Sequence, residues 1–151
     1  MMKRERKAFT MIELVFVIVI IGILAAIAVP RLAATRDDAH ISAIAHETMT
    51  AAWEVAAYAT AKGSTAATIT SMSNSAKALI NNENASENGV TLKIAAIDVD
   101  DCVELTIENQ GQNIEMLKIK FTGSGSNCDR LQKLVDANAF PMQLHGTLIA
   151  F

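Results

Sequence analysis

Phe9-Thr10-Met11-Ile12-Glu13-Leu14, continued by Val15 through Val29, is a run of 21 residues in which Glu13 alone is charged. At about 1.5 Å per helical residue the run covers roughly 30 Å, the hydrocarbon thickness of a bilayer. A carboxylate at the centre of such a helix costs at least about 2.5 kcal/mol, and groups of this kind are normally paired or functional. Glu13 stands near one end of the run, where snorkelling lowers that cost. The need for a partner remains.

The flanks orient the run. Residues 1–8 carry Lys3, Arg4, Arg6 and Lys7 against Glu5, a local charge of +3. Positive charge ahead of an apolar span holds that end in the cytoplasm and sends the rest of the chain across. A cleaved secretory signal has an apolar core of about 7–15 residues followed by a small-residue cleavage site. Here the run is longer, and Ala25-Ala26-Ile27-Ala28 is the nearest approach to such a site before Pro30 and Arg31. Hydropathy alone would leave a plain membrane anchor.

The order of residues says more. Lys7-Ala8-Phe9-Thr10-Met11-Ile12-Glu13-Leu14, followed by Gly22-Ile23-Leu24-Ala25-Ala26-Ile27-Ala28-Val29-Pro30, resembles the class III signal of type IV pilins and type II secretion pseudopilins. The resemblance covers about residues 7–36. It implies a membrane-embedded prepilin peptidase that cuts between Ala8 and Phe9 and methylates the new amino terminus at Phe9. It makes Glu13 the fifth mature residue, which the family uses in assembly. The family usually has Gly before the cut, and this chain has Ala8. The implied partners are the peptidase, other pilin or pseudopilin subunits, the inner-membrane assembly machinery and membrane lipid. The implied fold is α+β: a long amino-terminal helix with an apolar first half, packed on a small antiparallel sheet.

The chemistry of Glu13 fits that role independently. A cut before Phe9 frees an amine that is largely protonated at neutral pH. In a low-dielectric bundle, a carboxylate and an ammonium from adjacent subunits satisfy one another, whereas either alone is strongly penalised. The pair would thus penalise slipped packing. Gly22 and Pro30 bracket the second half of the run; Gly is a poor helix former, and Pro removes a donor and clashes with the preceding turn. Residues 22–30 can therefore bend or melt, as the resemblance implies for filaments, or stay helical with a kink at Pro30.

Removing residues 1–8 takes away four of 13 basic and one of 16 acidic residues, which leaves nine against fifteen and a net charge near −6. The exported part is acidic. The 121 residues from Arg31 onward suffice for one compact domain with a modest core. The expected organisation is a leader at 1–8, an apolar helix half at 9–29, an amphipathic half at 30–62 and a globular head at 63–151. Ile41, Ile44, Thr48, Ala52, Val55 and Ala59 recur at helical spacing, and Lys62-Gly63-Ser64 is a plausible stop. Trp53 and Tyr58 read as core or interface residues. Residues 63–88 are rich in Ser, Thr, Asn and Ala, with a helix expected around 72–80 and a surface loop elsewhere. Asn84-Ala85-Ser86 is a weak sequon.

From Gly89 the period becomes two. Val90, Leu92 and Ile94, then Val103, Leu105 and Ile107, then Leu117, Ile119 and Phe121 alternate with polar residues, as half-buried antiparallel strands do. A three-residue loop at 110–112 keeps both inward sets on one face and sets Glu104 opposite Lys118. Cys102 shares the outward parity of Glu104. Two cysteines in an exported domain suggest a Cys102–Cys128 disulfide; two free thiols are the alternative. A short helix around Leu131, Leu134 and Val135 and a last strand at 142–151 follow.

Asp98, Asp100 and Asp101 form the densest acidic cluster, but lack the EF-hand spacing and read as a solvated turn. His40 and His46 fall on different helix faces, and His145 reads as structural. No nucleophile–base set, phosphate-binding glycine loop or zinc spacing is present, so no catalytic residue, metal or cofactor is expected. Three readings follow. The first is a structural subunit of a type II secretion pseudopilus or a type IV pilus. The second is a minor pilin or competence pseudopilin contacting DNA or a surface; the acidic head argues against nucleic acid, although Lys118, Lys120, Arg130 and Lys133 could cluster. The third is a membrane-anchored periplasmic sensor or enzyme. In each the chain crosses the inner membrane once, with its head in the periplasm.

Overall fold

The computed structural model describes residues 9–97, 99–110 and 114–145, the side chain of His145 excepted. The leader at 1–8, Asp98, and the expected strand beyond His145 lie outside the described residues. The chain divides into two compact units after Asp38.

Helix α1 spans Met11–Lys62. In the first unit all of its residues are exposed, as an apolar segment without its solvent or partners must be. It passes through Gly22 and Pro30 without interruption, so residues 22–30 are helical in the single chain. In the second unit its apolar stripe is buried: Ile41, Ile44, Thr48, Ala52, Val55 and Ala59 are all at or below 1% exposure. The Thr48 hydroxyl satisfies itself by donating to the Ile44 carbonyl at 2.7 Å. The helix ends where Gly63 takes a φ of +69° and donates its N–H back to the Ala59 carbonyl. Only glycine adopts that conformation without strain.

A short helix, α2 (Asn74–Asn81), precedes a five-stranded antiparallel meander. Its strands are β1 (Ala85–Asn88), β2 (Thr91–Ala96), β3 (Val99–Asn109), β4 (Glu115–Phe121) and β5 (Met142–His145), in spatial order one to five. Helix α3 (Ser126–Leu134) lies between β4 and β5 in sequence. Leu92, Ile94, Val103, Leu105 and Leu117 of the sheet join the α1 stripe, with Ile69 and Leu79, in one core.

Several expectations are corrected. Strand β1 occupies part of the expected surface loop. Asn88 pairs with Thr91 around Gly89, whose φ of +60° closes a two-residue hairpin. The β3–β4 register is offset from that expected: Glu104 faces Lys120, and Thr106 faces Lys118. Gln110 donates its N–H to the Ile114 carbonyl, so the ladder runs one step beyond Asn109; Gly111 and Gln112 of the expected loop lie outside the described residues. The parity is unchanged, because a two-residue offset keeps the same side chains on the core face. Phe121, at the end of its strand, is 47% exposed rather than buried. Cys102 has outward parity but is fully buried, because α3 packs beside β3 at this point.

Cys102 and Cys128 are joined as a disulfide, with Cα atoms 5.2 Å apart. Gln132 reinforces the junction by donating to the carbonyls of Cys102 and Gly123, each at 2.9 Å. Gly123 is required here: a Cβ would collide with the Asp101 carbonyl oxygen and the Cys128 sulfur.

On the outer sheet face, Glu108 accepts from Lys118 at 2.5 Å and from Lys120 at 2.7 Å. The bond from Lys118, and then that from Lys120, pulls the Glu108 carboxyl down to about 2 from the usual 4.5. A depressed carboxylate contributes stability that is present above its unfolded value and lost as pH falls through the folded one. The urea midpoint of the detergent-solubilised chain should therefore fall between about pH 4.5 and pH 2. Glu108→Gln should flatten part of that slope. An unchanged slope would show that the clamp does not contribute.

Candidate functional site

The start of α1 is where the unusual carboxylate sits. Thr10 is the residue that caps the helix, and Glu13 is the third residue inside it. The Glu13 Oε2 accepts from the Thr10 N–H at 2.8 Å and from the Thr10 hydroxyl at 2.7 Å. In return the Glu13 N–H donates to the Thr10 hydroxyl oxygen at 3.3 Å. This is a capping box, in which two otherwise orphaned donors at a helix start are satisfied reciprocally. The sequence signal is Thr10-x-x-Glu13, and the reading of Glu13 as a residue in search of a partner passed over it. In the single chain the carboxylate is satisfied locally; its side chain turns back towards Phe9, the residue whose amine a cut after Ala8 would free. Ala8 itself lies outside the described residues.

Further along the helix, Pro30 leaves the Ala26 carbonyl without an intrahelical donor, because proline has no N–H. The Thr35 hydroxyl donates to the Arg31 and Leu32 carbonyls, both at 3.0 Å. Gly22 has open space around the place where a Cβ would stand, so nothing in the single chain requires glycine there.

The head is fastened to α1 through Glu54. Its Oε2 accepts from the Ser73 hydroxyl at 2.6 Å and from the Ser75 N–H at 3.0 Å, while the Ser73 hydroxyl oxygen accepts the Ala76 N–H to cap α2. Burial pushes the Glu54 carboxyl up, but hydrogen bonds led by that from Ser73 outweigh it and hold it below its usual range. Glu87 of β1 receives the Thr70 N–H and hydroxyl, each at 2.7 Å. Residues 70–75 are thus tied down at two points.

The remaining candidates disperse. Asp101 pairs with Lys93 at 2.8 Å and Asp100 is exposed, so the described part of the acidic cluster does not converge. Among the described residues no group of three or more His, Cys, Asp or Glu side chains could hold a metal ion. Lys118 and Lys120, the centre of any basic patch, are both held by Glu108. Trp53 is half exposed and lies against Phe140, ring centroids 6.5 Å apart.

Residues 3–29 match the family model of the prokaryotic N-terminal methylation motif. The chain thus carries a prepilin-type signal at its amino terminus. The motif covers the leader, the capping box and the apolar half of α1, and implies processing by a prepilin peptidase and assembly into pilin-type filaments. No curated protein and no solved structure shows significant similarity to this chain. Its long helix and antiparallel sheet are the α+β arrangement of a pilin. The apolar helix is long enough to cross a membrane and accords with anchoring there.

Proposed function

We propose that this prepilin is a structural subunit, without catalysis of its own, of a type II secretion pseudopilus or a type IV pilus. The observation that carries the reading is the methylation motif set directly on the capping box of a fully exposed apolar helix half. In this reading the peptidase cuts between Ala8 and Phe9 and methylates the Phe9 amine. The head faces the periplasm until assembly. Glu13 then exchanges part of its bonding from Thr10 to the Phe9 ammonium of a neighbouring subunit, and residues 22–30 are the segment able to extend in the filament.

Intact and amino-terminal mass spectrometry of the membrane-extracted protein from its native host tests this. A chain starting at N-methylated Phe9 is expected, with Ala8 accepted in place of glycine. A chain that retains Met1 or Met2 would overturn the reading and return the protein to a static anchor carrying a sensor or enzyme.

A further inference from the structure

Immediately beyond the apolar run, Val29, Leu32, Ala33, Thr35 and Arg36 line one open groove along α1. Val29 and Leu32 are among the most exposed aliphatic side chains, and Arg31 and Arg36 are exposed as well. Neither arginine has an ion-pair partner among the described residues. The Thr35 hydroxyl proton is spent on the helix's own carbonyls, so Arg36 supplies the groove's charged donors.

The spacing matches the edge of a bilayer. Arg31 is two residues past Val29 and Arg36 seven, or roughly 3 Å and 10 Å along the axis. The polar layer outside the hydrocarbon is about 5–7 Å deep on each side. Helical side chains tilt towards the amino terminus, which here is towards the membrane, and arginine is long enough to reach back. Arg31 therefore stands within the phosphate layer as it is, and Arg36 comes to it by reaching back. Asp37 and Asp38 follow outside that layer, where phosphates would not repel them.

We propose that Arg31 and Arg36 bind phospholipid headgroup phosphates of the leaflet at the carboxy-terminal end of the span. Val29, Leu32 and Ala33 lie against the upper part of an acyl chain. Continuity with the apolar span and charge complementarity select this occupant: guanidinium donates two parallel hydrogen bonds to phosphate, and among the described residues neither arginine is held in an ion pair. The contact fixes how deeply the helix stands, and it must be given up when a subunit leaves the membrane. The inference rests on membrane insertion, and not on processing or on filament formation.

The test is carbon–phosphorus dipolar solid-state NMR on the full chain in vesicles of phosphatidylcholine with a minority of phosphatidylglycerol. Guanidinium carbons are labelled in an R4K/R6K/R130K background, which leaves Arg31 and Arg36 as the only arginines. Insertion is checked first by carbonate-resistant sedimentation with the vesicles. Dephasing of the guanidinium signal by lipid phosphorus is expected, with part of it lost in Arg31→Lys and part in Arg36→Lys. No dephasing in an inserted chain would overturn the proposal while leaving the proposed function standing. So would dephasing seen only after inorganic phosphate is added, or a guanidinium contact to carboxylate carbons of a second copy. A chain that does not sediment with the vesicles would overturn the membrane insertion on which the contact depends.

Discussion

Glu13→Leu should be cut and methylated normally yet fail to form filaments. Two separate losses are combined in that variant. The first is the capping box with Thr10, worth about 1 kcal/mol to a helix start. The second is the charge opposite a neighbour's Phe9 amine. Removing one partner of a buried pair leaves the other uncompensated, at a cost of about 3–5 kcal/mol per contact. That corresponds to roughly a hundredfold to a few thousandfold weaker association, enough to abolish a polymer. Glu13→Gln separates the two effects. Glutamine also completes a capping box, so the bonds of 2.7 and 2.8 Å to Thr10 have a substitute acceptor, but glutamine carries no charge. Filaments counted by electron microscopy should be absent in both variants. Normal filaments from the Gln variant would mean that the cap suffices and that no intersubunit charge pair exists. Normal filaments from the Leu variant would remove Glu13 from assembly altogether.

The second large effect lies in the head. Cys102→Ser/Cys128→Ser should lower the unfolding free energy by about 3.5 kcal/mol in the chain-entropy model. The input is a cross-link between positions 26 residues apart. For a domain of this size the melting temperature should fall by roughly 10–20 °C, read by near-ultraviolet circular dichroism in detergent. The buried Leu131 and the Gln132 bonds to Cys102 and Gly123 then hold α3 in place. Loss should therefore begin at α3, with the β1–β2 hairpin retained longest. Gly123→Val should act in the same direction, because a Cβ there displaces the Asp101 carbonyl or the Cys128 sulfur. A shift below about 1 kcal/mol in the double serine variant would mean that packing of α3 outweighs the cross-link.

Much of this was legible because local patterns and global fold agree. The buried stripe from Ile41 to Ala59 was readable from helical spacing, and the inward faces of β2 and β3 from alternation. Strand β1 was not, since Ala85-Ser86-Glu87-Asn88 has almost no apolar pattern; its signal was the glycine at the first turn position after Asn88. The register of β3 against β4 was beyond the sequence, because offsets of two residues bury the same side chains. Glu108 reaching both Lys118 and Lys120 is a cross-strand arrangement that exists only once the register is set.

By itself the sequence determined the apolar span, the motif at its head, the helix-then-sheet order and the two cysteines, because each is written in contiguous residues or in a fixed period. Tertiary structure alone decided that Cys102 is buried despite its outward parity, that Glu54 and Glu87 tie down residues 70–75, and which lysines Glu108 holds. These depend on groups far apart in the chain, and hydrogen bonds and burial between such groups are fixed by the packing of whole elements rather than by any local preference.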